Sequence, residues 1–222
     1  MFDTETIDFY NETSNRLSFI KKLTMATSLA IVLNVAPAAV KVVNAGEMKM
    51  EASAAVFNKD GSLKRPTGYR EWIYVGTPLT PNDMNDGKAA FPEFHNVYID
   101  PASWTYWKKN GEFRDGTILV KELVSVGSKS AASGKGYFEG EFLGLEATVK
   151  DKKHFASAPG NWAYFRFTNE DFKGLKSNAT AQPVASCSSC HQPNAQQDFV
   201  FTQYYPVLRA GKASGQIGSG GL

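Results

Sequence analysis

The run ASCSSCHQPNA, residues 185–195, contains both cysteines of the chain and one of its three histidines. Two thiols two residues apart with a histidine directly behind them could be a disulfide, part of a zinc site, a redox pair or a haem anchor. A zinc site needs four ligands, and beyond Cys187, Cys190 and His191 the chain offers only His95 and His154, both far away in sequence. A thioredoxin-like pair follows a strand and opens a helix in a βαβ unit; this pair instead sits late in the chain, behind the polar stretch SNATAQPVAS. A disulfide across so short a loop adds little chain-entropy stabilisation. In Cys-x-x-Cys-His, by contrast, the two thiols can add across the haem vinyl groups while the histidine ligates the iron. The spacing therefore predicts one covalent haem c per chain, held by Cys187 and Cys190, with His191 as the metal ligand.

What lies opposite His191 decides the function. An electron-transfer cytochrome supplies a second strong ligand, Met or His. Outside the N-terminal segment the candidates are Met48, Met50, Met84, His95 and His154. Small cytochromes c are mostly helical and carry the attachment motif near the N-terminus, and this chain does neither.

The elements that must position the haem read mainly as β-structure. Residues 69–79 (YREWIYVGTPL) are aromatic and β-branched and end in a turn, which predicts a strand, as do residues 95–100. Pro101 opens a helix that Gly111 closes. Alternation and composition predict strands over 117–127 and 136–151, joined as a hairpin across a Ser/Gly/Lys-rich loop, and another over 161–168. The cysteines follow on a haem-attachment helix near the C-terminus. The expected fold class is α+β, mainly an antiparallel sheet with a few helices.

Two charged residues interrupt these strands. In TILVKELVSV, Ile118, Val120, Glu122, Val124 and Val126 share one face, and Lys121 lies on the other between Leu119 and Leu123. Either it is an ordinary lysine on a half-solvated face, or it points into an apolar pocket that would leave a neutral, nucleophilic amine. In YFEGEFLGLEATV, Glu146 shares a face with Phe138, Gly140, Phe142 and Gly144. It is either a surface carboxylate at a strand end or a desolvated general base beside a cavity.

The chain has 222 residues with 24 basic and 22 acidic side chains, a net charge of +2. No basic stripe is written here, so a nucleic-acid partner is not expected. Residues 1–45 differ from the rest. Lys21-Lys22 precede an apolar core at 23–35, with small residues at Val43 and Ala45, the parts of a secretory signal peptide. The core falls short of the roughly 20 residues that a membrane span requires, which favours cleavage over an uncleaved anchor. The n-region is long for a leader and carries Asp3, Glu5, Asp8 and Glu12; a start codon further downstream would shorten it. Export leaves 46–222 as a single c-type haem domain.

The segments YREWIYVGTPLTPNDMNDGKAAF, WKKNGEFRDGTILVKELVSVG, GLEATVKDKKHFASAPGNWAY, CSSCHQPNA and FVFTQYYPVLRA closely resemble the cytochrome P-460 family, in order and spacing, from about residue 57 to 212. The resemblance implies a periplasmic, mainly β-sheet, homodimeric haem c protein of a group whose better-known members oxidise hydroxylamine to nitrous oxide with nitric oxide. It implies that Cys187 and Cys190 form the thioethers, that His191 is the proximal ligand and that the distal side is open. Lys121 matches the lysine bonded to a meso carbon of the haem, and Glu146 matches the distal carboxylate that accepts protons from hydroxylamine. His95 departs from the family, whose members carry arginine there. A histidine in that place could donate a hydrogen bond to a distal ligand, coordinate the iron weakly or fill the pocket wall. His154, behind Lys152-Lys153, is expected at the surface.

Three functions compete. The first is hydroxylamine oxidation, with electrons passing to a periplasmic acceptor such as a small cytochrome c. The second is nitric oxide or carbon monoxide binding, as in the related cytochromes c′-beta, which lack the lysine bond. The third is electron transfer, for which Met84 or His95 would have to supply the second axial ligand.

Overall fold

The computed structural model describes residues 53–171 and 173–211. In chain order these form β1 (Leu63–Lys64), β2 (Ile73–Gly76), β3 (Phe94–Ile99), α1 (Pro101–Asn110), β4 (Ile118–Val126), β5 (Ser130–Ala131), β6 (Gly134–Lys135), β7 (Glu139–Lys150), β8 (Trp162–Arg166), β9 (Asn178–Ala179), α2 (Val184–Asn194) and α3 (Pro206–Gly211). Five strands make the main sheet in the order β2-β3-β4-β7-β8, and every neighbouring pair is antiparallel. These are the five strands that composition and alternation together predict, so the fold is α+β and mainly antiparallel. The described residues lie within one compact unit. The export segment expected over residues 1–45 lies outside the described residues.

The sheet is covered on both faces. On one, Ile118 and Val120 of β4, Leu145, Ala147 and Val149 of β7 and Phe165 of β8 pack against Leu63 and Ala179. On the other, Leu119, Val97, Ile99 and Trp162 pack with Trp107, Val200 and Leu208 under α1 and α3. Trp107 is fully buried and donates its indole N–H to the Leu208 carbonyl at 2.8 Å, tying α1 to α3. Burying so large a ring with its N–H satisfied is worth several kcal/mol, roughly 3–5 on the scale of Trp-to-Ala truncations.

Local chemistry sets the ends of α1. Asp100 caps it by accepting the Ser103 amide at 2.9 Å, Pro101 occupies the first turn, and Gly111 closes it at φ 69. The second Asp100 oxygen accepts the Ile118 amide at 3.1 Å, so the same carboxylate fixes where β4 begins.

One expectation is corrected. The strand predicted over residues 69–79 is shorter, because Tyr69–Glu71 form a single 3-10 turn entered from Gly68 at φ 66. The cause is tertiary. Glu122 on β4 is buried, and it accepts from the Tyr69 hydroxyl at 2.6 Å and the Arg70 Nε at 2.7 Å. A buried carboxylate must be paired, and curling the chain brings both donors to it.

Candidate functional site

Paired residues of neighbouring strands share a face. Lys121 of β4 lies between Val97 of β3 and Glu146 of β7, and His95 lies opposite Leu123 one step along. Lys121, Glu146 and His95 therefore sit on one face, together with Tyr164, which pairs with Thr148 beside Glu146. Lys121 Nζ is 2.7 Å from Glu146 Oε2, with the two side chains 29% and 31% exposed. Neither sequence reading holds unchanged: the lysine is not alone in an apolar pocket, nor is the carboxylate isolated, because each is the other's counter-ion. The Phe91 ring lies 5.7 Å from the Lys121 ammonium and 6.0 Å from the His95 ring. His95 Nε2 is 3.3 Å from Glu93 Oε1, with side-chain exposures of 16% and 14%.

The helix α2 carries the cysteines and histidine. Cys187 and Cys190 are both free thiols, half-buried and exposed respectively. Spaced i,i+3, they lie on one helix face. His191 Nδ1 donates to the Phe199 carbonyl at 2.8 Å, so Nε2 keeps its lone pair for a metal. Its ring packs 4.6 Å from Tyr164 and 4.7 Å from Phe201, which brings α2 to the same sheet face as Lys121 and Glu146. Burial and the Lys121 charge hold the His191 imidazole below its usual value, against the opposing Phe199 carbonyl and Glu146. Burial, then the Glu146 carboxylate, push the Cys187 thiol up.

The carbonyl that orients His191 is itself held under strain. Asp198 and Phe199 both have left-handed backbones, φ 46 and 62, which costs a non-glycine residue on the order of 1 kcal/mol. The Asp198 carboxylate is fastened by Lys150 Nζ at 2.8 and 3.0 Å and by the Trp162 indole N–H at 3.2 Å.

These residues fit a c-type haem. Two free thiols sit one helical turn apart beside a histidine whose second nitrogen is already committed. Of the α2 residues only Ser188 is buried, and helices shorter than about 12–15 residues are marginal without a packing partner. The Tyr164 hydroxyl and the Ser188 hydroxyl are buried with no hydrogen-bond partner among the described residues. Val184 and Phe91 leave large apolar surface exposed at 50% and 57%. A flat apolar cofactor attached through the cysteines would supply what the helix lacks. Among the described residues no group of three or more His, Cys, Asp or Glu converges as a metal-ion cage.

Of the remaining candidates, Met84 is 72% exposed, and Met48 and Met50 lie outside the described residues. His154 is at the surface, paired with Asp151 at 2.9 Å and stacked on Phe57 at 4.2 Å. Sequence reasoning missed Glu93, Tyr164 and Phe199. Glu93 carried a legible signal, since a residue two before His95 in extended chain shares its side. Phe199 carried none, because a backbone carbonyl leaves no mark in residue type.

No curated protein matches the chain. A family model described as Cytochrome P460 matches residues 66–202, which span all five main-sheet strands and α2 with Cys187, Cys190 and His191. The chain therefore belongs to the cytochrome P460 family, and it is a haem c protein of that type.

Proposed function

We propose that this haem c protein is a hydroxylamine oxidoreductase, releasing nitrous oxide, nitric oxide or both, and that it works in the periplasm as a homodimer passing electrons to a small cytochrome c. The observation that carries the reading is the Lys121–Glu146 pair, 2.7 Å apart on the sheet face that α2 overlooks. In this reading Cys187 and Cys190 form the thioethers, and His191 ligates through Nε2 while the Phe199 carbonyl holds its orientation. When bound, the haem would supply the iron that binds the substrate and would take up the electrons of the oxidation. Every proton is the protein's task. Glu146 accepts protons from the substrate N–H and O–H groups, a positioned carboxylate being worth about 10²–10⁴ in rate. Lys121 would tie the haem to β4 by a bond from Nζ to a meso carbon, formed with loss of the meso C–H hydrogen and one N–H hydrogen, the two electrons leaving to a peroxide-class oxidant. That bond takes the amine out of its ion pair and leaves the Glu146 carboxylate free to receive a proton. Phe91 forms an apolar wall beside Lys121.

The test is to mature the exported protein with its haem and map the haem peptides by mass spectrometry. A Lys121 peptide joined through haem to the Cys187/Cys190 peptide, with hydroxylamine-dependent reduction of an electron acceptor, supports the reading. Haem on the cysteines alone, with no turnover, would move the protein to the nitric oxide- or carbon monoxide-binding cytochromes c′-beta. A low-spin, six-coordinate spectrum in the resting protein would point to electron transfer instead.

A further inference from the structure

Hydroxylamine gives up three protons and three electrons on the way to nitric oxide. Two molecules give up four of each, with one water, on the way to nitrous oxide. Glu146 holds one proton at a time, so successive deprotonations call for a second acceptor near it. Among the described residues, His95 is a group of the right kind. His95 lies on the same sheet face as Lys121 and Glu146, and the Phe91 ring bridges the two neighbourhoods, 6.0 Å from the imidazole and 5.7 Å from the Lys121 ammonium.

We propose that Glu93 and His95 form a second acid–base pair of this site, with Glu93 as the positioning residue that holds the imidazole with its proton on Nε2 and leaves Nδ1 as the accepting nitrogen. The inference rests on the hydroxylamine reading for its substrate, but the pair itself stands on geometry. Glu93 Oε1 and His95 Nε2 are 3.3 Å apart, and both side chains are more than four-fifths buried. Burial by itself would raise the Glu93 carboxyl, but the His95 hydrogen bond, its own backbone amide and the charges of His95 and Lys121 together hold it below the usual range. An ionised carboxylate only accepts hydrogen bonds, so the ring nitrogen that faces it carries the hydrogen. The backbone of His95 is fixed as well, its amide donating to the Pro78 carbonyl at 3.1 Å. The charged groups around the pair are Lys121 on β4 and, bonded to it, Glu146 on β7. One carboxylate thus orients the imidazole, on the sheet face that also carries Lys121 and Glu146. Nothing in the sequence of His95 alone carries this; an arginine there would be a permanent cation with no accepting nitrogen.

The experiment uses the haem-loaded, full-length mature protein, wild type and Glu93→Gln, labelled with ¹⁵N-histidine and held in the reduced, carbon monoxide-bound diamagnetic form. A His95→Gln variant assigns the His95 resonances. The expected wild-type spectrum is that of the Nε2-protonated tautomer, and Glu93→Gln is expected to mix the two tautomers. In turnover, Glu93→Gln should lower kcat about tenfold and displace the pH–rate profile, with KM for hydroxylamine and haem content unchanged; Glu93→Asp should recover part of the rate. An Nδ1-protonated His95 in the wild type, or a tautomer and pH profile indifferent to Glu93→Gln, overturns the proposal. Absence of hydroxylamine turnover in the wild type overturns the substrate reading and, with it, the proton-accepting role, while the tautomer still decides whether Glu93 orients His95.

Discussion

Removing the Asp198 carboxylate should loosen the side of the site from which His191 is held. Asp198→Ala has three costs. The Trp162 indole N–H, on a ring only 1% exposed, loses its acceptor, and a buried unsatisfied donor costs about 1–3 kcal/mol. Lys150 loses its counter-ion. With side chains 13% and 28% exposed, the pair lies between an exposed bridge at about 0.2–1 kcal/mol and a fully buried one at roughly 3–5 kcal/mol, so about 1–2 kcal/mol is reasonable. Alanine also tolerates the left-handed backbone at φ 46 less well than aspartate, by a further ~1 kcal/mol. The sum is about 4 kcal/mol. Asp198→Asn keeps the acceptor for Trp162 and the tolerance for a left-handed backbone, so only the charge term of about 1–2 kcal/mol remains. Urea unfolding of the haem-loaded protein, followed by far-ultraviolet circular dichroism, measures both. The iron–histidine stretching band of the reduced protein reads the same perturbation locally, since it responds to the hydrogen bond that His191 Nδ1 donates to Phe199. Equal midpoints for wild type and Asp198→Ala, or equal losses for Ala and Asn, would refute this account of the strained turn.

Three further outcomes are expected. Glu146→Gln should remove hydroxylamine turnover by about 10²-fold or more while leaving the thioethers intact in the haem-peptide map; turnover within twofold of wild type would exclude Glu146 as the proton acceptor. Gly144→Ala should destabilise by about 1–3 kcal/mol, because a Cβ at that position would overlap the Thr168 hydroxyl. The double variant with Thr168→Ala should recover part of the loss in a urea titration, and strict additivity would show that the two residues do not meet. For Asp151, burial alone would raise the carboxyl, but hydrogen bonds from the His154 ring and backbone outweigh it and hold it low. A carboxyl depressed in the fold adds stability above its unfolded value near 4, and that stability is lost as pH falls through the lower folded value. The stability gap between wild type and Asp151→Asn should therefore narrow between pH 6 and pH 3, and a gap that stays constant would contradict the shift.

The parts legible in the sequence are those whose information is local. Alternation over 117–127, 136–151 and 161–168 locates β4, β7 and β8, because a half-buried strand records its two faces every second residue. Asp100-Pro101 and Gly111 bound α1 through hydrogen bonds made within one turn. Cys187, Cys190 and His191 announce a haem because attachment chemistry requires that spacing on a single helix. Alternation also set Lys121 and Glu146 apart as charges within apolar strands, each as an isolated group.

Only the tertiary structure made them a pair. Their contact depends on the register of β4 against β7, which places Lys121 directly opposite Glu146, and register is a relation between segments that neither segment states. The same holds for Glu122, whose burial curls Tyr69–Glu71 out of the strand that their aromatic character suggests. It holds most fully for Phe199. Two consecutive left-handed residues, neither of them glycine, have no signature in composition, and they persist because Lys150 and Trp162, both distant in sequence, fasten Asp198. Residue types within a few positions of one another determined which elements form and where the haem attaches; the packing of distant segments decided which charges meet beside it, because a pairing energy exists only once the chain has closed the loop between its partners.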